Sequence, residues 1–276
     1  MFTFQGSKIL FSMQLHLYQI DAFTDEIFSG NPACVVPLSE WLPDELLLKI
    51  AGENAVAETA FFVSKGSRFH LRWFTPEMEM DLCGHATLAA AHAIKEIRKH
   101  PGDKILFETK SGELEVIAEN NTYTLDFPTR NPLPEKLPQL LKDSLNIQPK
   151  EVLKARDFVL VYDKEEDVKN IEINRLYFDK LDLGTGGVIF TAPGTESNTD
   201  FVSRFFTPGA SVFEDPVTGS AHCSLIPYWS KKLGKTELTA RQISPRGGNL
   251  HCILKGDRVS IKGHARTYSI GKLFTE

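Results

Sequence analysis

Arg72-Trp73-Phe74-Thr75-Pro76 returns as Arg204-Phe205-Phe206-Thr207-Pro208, and each copy leads to a glycine that opens a run of small residues. In the first copy that run is Cys83-Gly84-His85-Ala86-Thr87. In the second it is Thr218-Gly219-Ser220-Ala221-His222. Two matched pairs in the same order predict an internal duplication, so the chain must build one plan twice. The surrounding elements agree. Pro43 and acidic residues start a helix that Gly52 ends, followed by the strands "TAFFV" and "FHLRWFT". An Ala- and Leu-rich helix opens at Gly84, too apolar on most sides to lie on a surface. Hairpin strands follow, with turns at Ser111-Gly112 and Asn120-Asn121. The second half runs a helix over "INRLYFDKLDL", the strands "GVIFTA" and "VSRFFT", the small-residue helix from Gly219, and more hairpins. Ahead of all this, Gln14 to Phe23 alternates as a strand, and Gly30-Asn31-Pro32 reads as a turn. Neither half shows regular βαβ alternation, which favours two similar α+β lobes over a doubly wound sheet.

The bulk numbers set limits on function. With 36 Asp and Glu against 31 Lys and Arg, net charge is -5. That argues against nucleic acid or an anionic membrane as partner. No apolar run approaches the roughly 20 residues of a membrane span. Cys34, Cys83, Cys223 and Cys252 are scattered without a CxxC pair, as expected of reduced thiols in the cytoplasm. The first twelve residues lack the pattern of a secretory signal and read as an extension before the strand that opens at Met13.

If two lobes face each other, the starts of their buried helices meet at the junction. Gly84, His85, Gly219 and Ser220 then turn backbone N–H groups and two positive dipole ends into one cleft, where a small carboxylate would be attracted. No Cys/His set has zinc spacing, and "GTGG" runs into a strand, so it is neither a P-loop nor a dinucleotide fingerprint. Neither metal nor cofactor is expected.

"GNPACVV", "AETAFF", "FTPEMEMDLCGHATLAAAH" and "EDPVTGSAH" together resemble the PhzF family of phenazine-biosynthesis isomerase-like proteins. The resemblance covers nearly the whole chain from Met13. It implies the diaminopimelate epimerase-like fold, two pseudo-symmetric lobes that each wrap a curved mixed sheet around a central helix. The expected division is residues 13–128 for the first lobe, joined by a C-terminal strand at about 265–276, and 129–264 for the second. A homodimer is the expected assembly.

The resemblance also implies roles. Related epimerases and racemases set two cysteines across the substrate carbon, one before each helix-start glycine. Here Cys83 precedes Gly84 but Thr218 precedes Gly219, and a threonine hydroxyl is far too weak an acid to mirror a thiol. Inversion by two thiols is therefore disfavoured, and Cys83 is first a small buried filler beside the substrate. The family's catalytic glutamate falls on Glu58. Partly desolvated, that carboxyl would have a raised pKa and could take and return a proton on one face. His85 and Asp215 join it as catalytic residues, with Cys83, Gly84, Gly219 and Ser220 binding substrate. The expected activity is a cofactor-independent isomerisation of a small carboxylate-bearing metabolite. The competing readings are an epimerase, racemase or dehydratase of the same fold, and a binding protein without turnover.

Overall fold

Sheet pairing repeats strand for strand in the computed structural model, which describes residues 13–275; the extension read over residues 1–12 lies outside them. In the first half, Asn31–Leu38 runs parallel to Glu58–Lys65, which pairs antiparallel with Arg68–Phe74. Arg68–Phe74 is in turn antiparallel to the two-residue strand Glu79–Met80 and parallel to Lys104–Thr109. In the second half, Phe158–Val161 is parallel to Val188–Pro193, which is antiparallel to Phe201–Phe206. That strand is antiparallel to Glu214–Asp215 and parallel to Glu237–Gln242. The same order of parallel and antiparallel neighbours appears twice, and the duplication inferred from the pentapeptides is a duplication of topology.

The pentapeptides themselves are struts. Arg72 clamps Glu79 through Nε at 2.8 Å and Nη2 at 3.0 Å, and Arg204 clamps Glu214 at 2.7 and 2.9 Å. Each guanidinium also lies over the last aromatic of its own pentapeptide, 5.0 Å from the Phe74 ring and 4.8 Å from that of Phe206. A planar cation that both forks onto a carboxylate and stacks on a ring explains the Arg-aromatic-aromatic pattern. The strut folds the chain back on the strand end and aims it at the helix start.

Each lobe's sheet wraps a helix. Gly84–His92 is buried at every position. Its alanines keep the helix thin enough for strands to close around it. His92 is packed, bonded to Tyr123 Oη at 2.9 Å and Thr267 Oγ1 at 2.8 Å. In the second lobe a 3₁₀ turn, Gly219–Ala221, leads into His222–Leu233. Pro227 lies inside this helix and cannot donate to the Cys223 carbonyl. The Arg130 N–H takes that place at 2.8 Å, so the missing bond ties in the segment that follows the first lobe's last hairpin.

One strand serves both lobes. Arg258–Thr275 pairs with Gly248–Lys255 and Thr122–Pro128 along its first part, then with Met13–Ala22, ending with Met13 opposite Thr275. A continuous 17-stranded sheet results. Among the described residues no helix is long and apolar enough to cross a membrane.

Two local expectations are corrected. Asn31 and Pro32 are not in a turn; they begin the strand Asn31–Leu38, and the bend ends at Gly30, whose φ is +67°. A Cβ on Gly30 would sit 2.3 Å from the Ala22 carbonyl oxygen. "INRLYFDKLDL" gives a single helical turn, Arg175–Phe178, capped by the Asn174 side chain, because the chain must then turn toward the glycine loop at 184–187.

Candidate active site

The two helix starts touch. A Cβ on Gly84 would lie 3.3 Å from Gly219 Cα, and one on Gly219 would lie 3.2 Å from Phe23 Cζ, so both positions need glycine for backbones to come this close. No side chain caps either start. The first-turn amides are thus left for a guest. Above them opens a cleft of about 300 Å³ lined by both lobes. Glu58, Cys83, Gly84, His85, Asp215, Gly219 and Ser220, picked out in the sequence, all line it.

Glu58 begins the strand Glu58–Lys65, and His85 is the second residue of the first lobe's helix. Glu58 Oε2 stands 3.2 Å from His85 Nε2. Both atoms are shut off from solvent and neither is in a well-aligned hydrogen bond. His85 Nδ1 receives the Asn31 amide at 3.1 Å. Asn31 is fully buried, and its Nδ2 also faces Asp215 Oδ1 at 2.6 Å and the Val217 carbonyl at 2.8 Å. Reversing the amide would set its oxygen against both of these acceptors, so Nδ2 is the donor. Nδ2 has two hydrogens for these three acceptors, so the longest contact, to His85 Nδ1, is a shared one; facing that donor, Nδ1 presents its lone pair and the imidazole proton sits on Nε2, on the side of Glu58.

The electrostatics follow from burial. His85 is pushed down to about 3 by desolvation and stays neutral. Glu58 is held well above the ordinary carboxylate range by desolvation, then by the charge of Asp215, with the Cys83 thiol pulling the other way. Asp215 is also raised by burial, opposed by hydrogen bonds from Thr218, at 2.5 Å, and from Asn31. The Cys83 thiol is pushed far up by burial and by Glu58, which keeps it protonated and a poor base.

The strand register shows how unequal the lobes are. Thr59 faces Phe74 as Val188 faces Phe206, so Glu58 corresponds to Gly187. A Cβ on Gly187 would lie 2.4 Å from Phe205 Cζ, which leaves no room there for any acid. Asp215 and Met80 likewise face Phe205 and Trp73 as counterparts.

Some residues that line or brace the cleft carried no signal in the sequence. Asn31 sat in what read as a turn, although "GNPACVV" was part of the resemblance. Gln242 holds Thr218, accepting its N–H at 2.8 Å and donating to the Asp215 carbonyl at 2.6 Å. Arg156 and Asp157 lie between two short strands that no periodicity announces, Glu151–Lys154 and Phe158–Val161.

A family model for phenazine biosynthesis-like proteins matches residues 20–271. The chain belongs to the PhzF family. An uncharacterized isomerase of Pseudomonas aeruginosa is 48% identical over 262 residues, covering 95% of this chain and 99% of that protein. The crystal structure of an Enterococcus faecalis PhzF family protein matches with a TM-score of 0.89 at 43% identity, covering 95% of this chain and 100% of that one. A probable proline racemase of Agrobacterium radiobacter shares the fold, with a TM-score of 0.62 at 11% identity over 94% and 92% of the two chains. The PhzF chain thus has the diaminopimelate epimerase-like architecture.

Glu58, Cys83 and His85 each bring one donor atom within 4.8 Å of the others, a spacing that could surround a metal ion. The chemistry of the set fits a metal poorly, since a ligating cysteine must give up its proton and burial keeps the Cys83 thiol protonated.

Proposed function

We propose that this PhzF-family protein is an isomerase that moves a proton, and with it a double bond, within a small carboxylate-bearing metabolite in the cleft between the lobes. The observation that carries this reading is the buried carboxyl of Glu58, set against His85 Nε2 at 3.2 Å and without an acid at the matching position of the other lobe. The name of the Pseudomonas aeruginosa relative, an uncharacterized isomerase, points the same way.

The chemistry balances with one proton. Ionised Glu58 removes a proton from a carbon activated by conjugation with the substrate carboxylate, and the C–H electrons become a new double bond. The electrons of the old double bond take the proton back from the Glu58 carboxyl on the same face. His85 holds the carboxyl through Nε2–H at both stages, because the neutral imidazole donates whether or not Glu58 is charged. Asp215 acts through Asn31 and Thr218, fixing the imidazole and the second helix start. The substrate carboxylate lies at the uncapped amides near Gly84, His85, Gly219 and Ser220. No electrons leave the substrate, so the step calls on no redox group.

Unsaturated small acids, screened by thermal shift and then followed by NMR in deuterated water, test the reading. Glu58→Gln should retain fold and ligand binding and lose about 10⁴-fold or more in turnover, at the upper end of general acid–base effects. Cys83→Ser should lose far less. Label should enter one carbon without scrambling its configuration. Activity that survives Glu58→Gln and dies with Cys83→Ser would transfer the chemistry to the thiol.

A further inference from the structure

The loop Gly184-Thr185-Gly186-Gly187 takes no part in the proton transfer, yet its shape is forced. A Cβ on Gly186 would lie 2.7 Å from the Arg156 carbonyl oxygen. The Gly187 N–H donates to Asp157 Oδ1 at 2.9 Å. The glycines therefore press the loop onto Arg156-Asp157. Asp157 is fully buried, and its carboxylate grips Arg156 through Nε at 3.0 and 3.1 Å and Nη2 at 2.8 Å. Nη2 also donates to Ser220 Oγ at 3.1 Å, beside the second helix start. A guanidinium pinned on this edge cannot swing away, and Nη1 has no acceptor among the described residues.

Arg156 lines the cleft and is the only Lys or Arg among the residues that do so. It has no equivalent in the other lobe. Cys34 lies opposite Thr59 as Phe158 lies opposite Val188, which sets Arg156 against Pro32. The duplication has thus been broken twice, once in each lobe. The first lobe carries the unmatched acid, Glu58, and the second carries the unmatched cation, Arg156.

We propose that Arg156 is the anion anchor that selects the substrate: its free Nη1 edge and the Ser220 hydroxyl receive the same planar carboxylate that the helix-start amides attract, which orients an otherwise apolar acid across the cleft. The apolar side chains of Met80, Phe205 and Val212 line the same cleft and suit a hydrocarbon body. That the far end of this acid meets Glu58 rests on the acid–base reading above; the anion anchor itself does not. An uncharged amide or ester of the same shape offers the guanidinium edge only a neutral acceptor and should bind more weakly.

Sodium benzoate and benzamide, matched in shape and differing in charge, test the anchor by calorimetry or ligand-observed NMR. Removing Arg156 alone would bury an unpaired Asp157, so the informative variant is Arg156→Gln combined with Asp157→Asn, which keeps an acceptor for the Gly187 N–H. It should bind benzoate roughly 10- to 100-fold more weakly than the wild type, the range for a charge-assisted hydrogen bond, with benzamide unchanged. Arg156→Lys, which keeps the charge and the Asp157 partner, should fall between the two and covers the case in which the double variant fails to fold. Wild-type protein that binds benzoate no better than benzamide overturns the anchor, as does benzoate affinity indifferent to both Arg156 variants. In either case the loss of turnover in Glu58→Gln would still stand, so the two ideas fail separately.

Discussion

At the scale of single residues, burial does most of the chemical work. Glu58 is held above its ordinary pKa by the same desolvation that holds His85 below its own. The first shift carries a stability consequence with a definite sign. Unfolded, Glu58 loses its proton near its ordinary value of 4.5, whereas the folded protein keeps it to higher pH. Over that interval the native state binds more protons, so unfolding free energy falls as pH rises and levels off only above the folded pKa. Glu58→Gln removes this penalty. Its melting temperature should therefore exceed that of the wild type by a margin that opens above pH 4.5 and widens toward alkaline pH. A margin independent of pH would mean that Glu58 is not desolvated. The site was legible in the sequence wherever a motif named a residue, as for Glu58, His85, Cys83 and Asp215. Asn31, Arg156 and Gln242 were not legible, because each owes its position to pairing between distant segments. Asn31 meets Asp215 only after both lobes have formed.

At the scale of elements, the two struts offer a natural comparison. Both carboxylates are largely buried, with side-chain exposures of 17% for Glu79 and 16% for Glu214, so their ion pairs are better shielded than surface pairs. Their surroundings differ. Arg72 Nη1 reaches Asp44, which is exposed, whereas Arg204 Nη1 donates to the carbonyls of Val168, Lys169 and Ile171 at 3.2–3.3 Å. Losing Arg204 removes the side-chain donor of the Lys169 and Ile171 carbonyls as well as the partner of Glu214. Urea denaturation should show Arg204→Met destabilising by roughly 2–4 kcal/mol and Arg72→Met by about 1–2 kcal/mol. Pairing each variant with its Glu→Met partner in a double-mutant cycle should recover a coupling energy at both struts. Equal costs for the two arginines would contradict the carbonyl contacts. The pentapeptides could be read as a repeat from sequence, but their task as struts could not. The partner glutamates lie at different spacings, seven residues after Arg72 and ten after Arg204.

At the scale of the whole molecule, three buried histidines set the acid limit. Burial lowers His85 to about 3 and His92 and His222 to about 4, against an ordinary 6.5. Below pH 6.5 the unfolded chain binds protons at these three histidines that the native state refuses, so they withdraw stability as pH drops toward 4, against the gain from Glu58. The urea midpoint should decline over that interval, and His92→Gln should flatten the decline. The lobes were legible because two motif pairs survive the duplication, while the segment 129–174 was not, its short strands and helices being set by tertiary pairing rather than by any period. The strand Arg258–Thr275 carries a consequence of another kind. It supplies neighbours to Met13–Ala22 and to Thr122–Pro128, so the first lobe to leave the ribosome stays open along both edges until the last strand has been made. Two unpaired edges on a waiting intermediate invite association with other nascent chains until Arg258–Thr275 covers them.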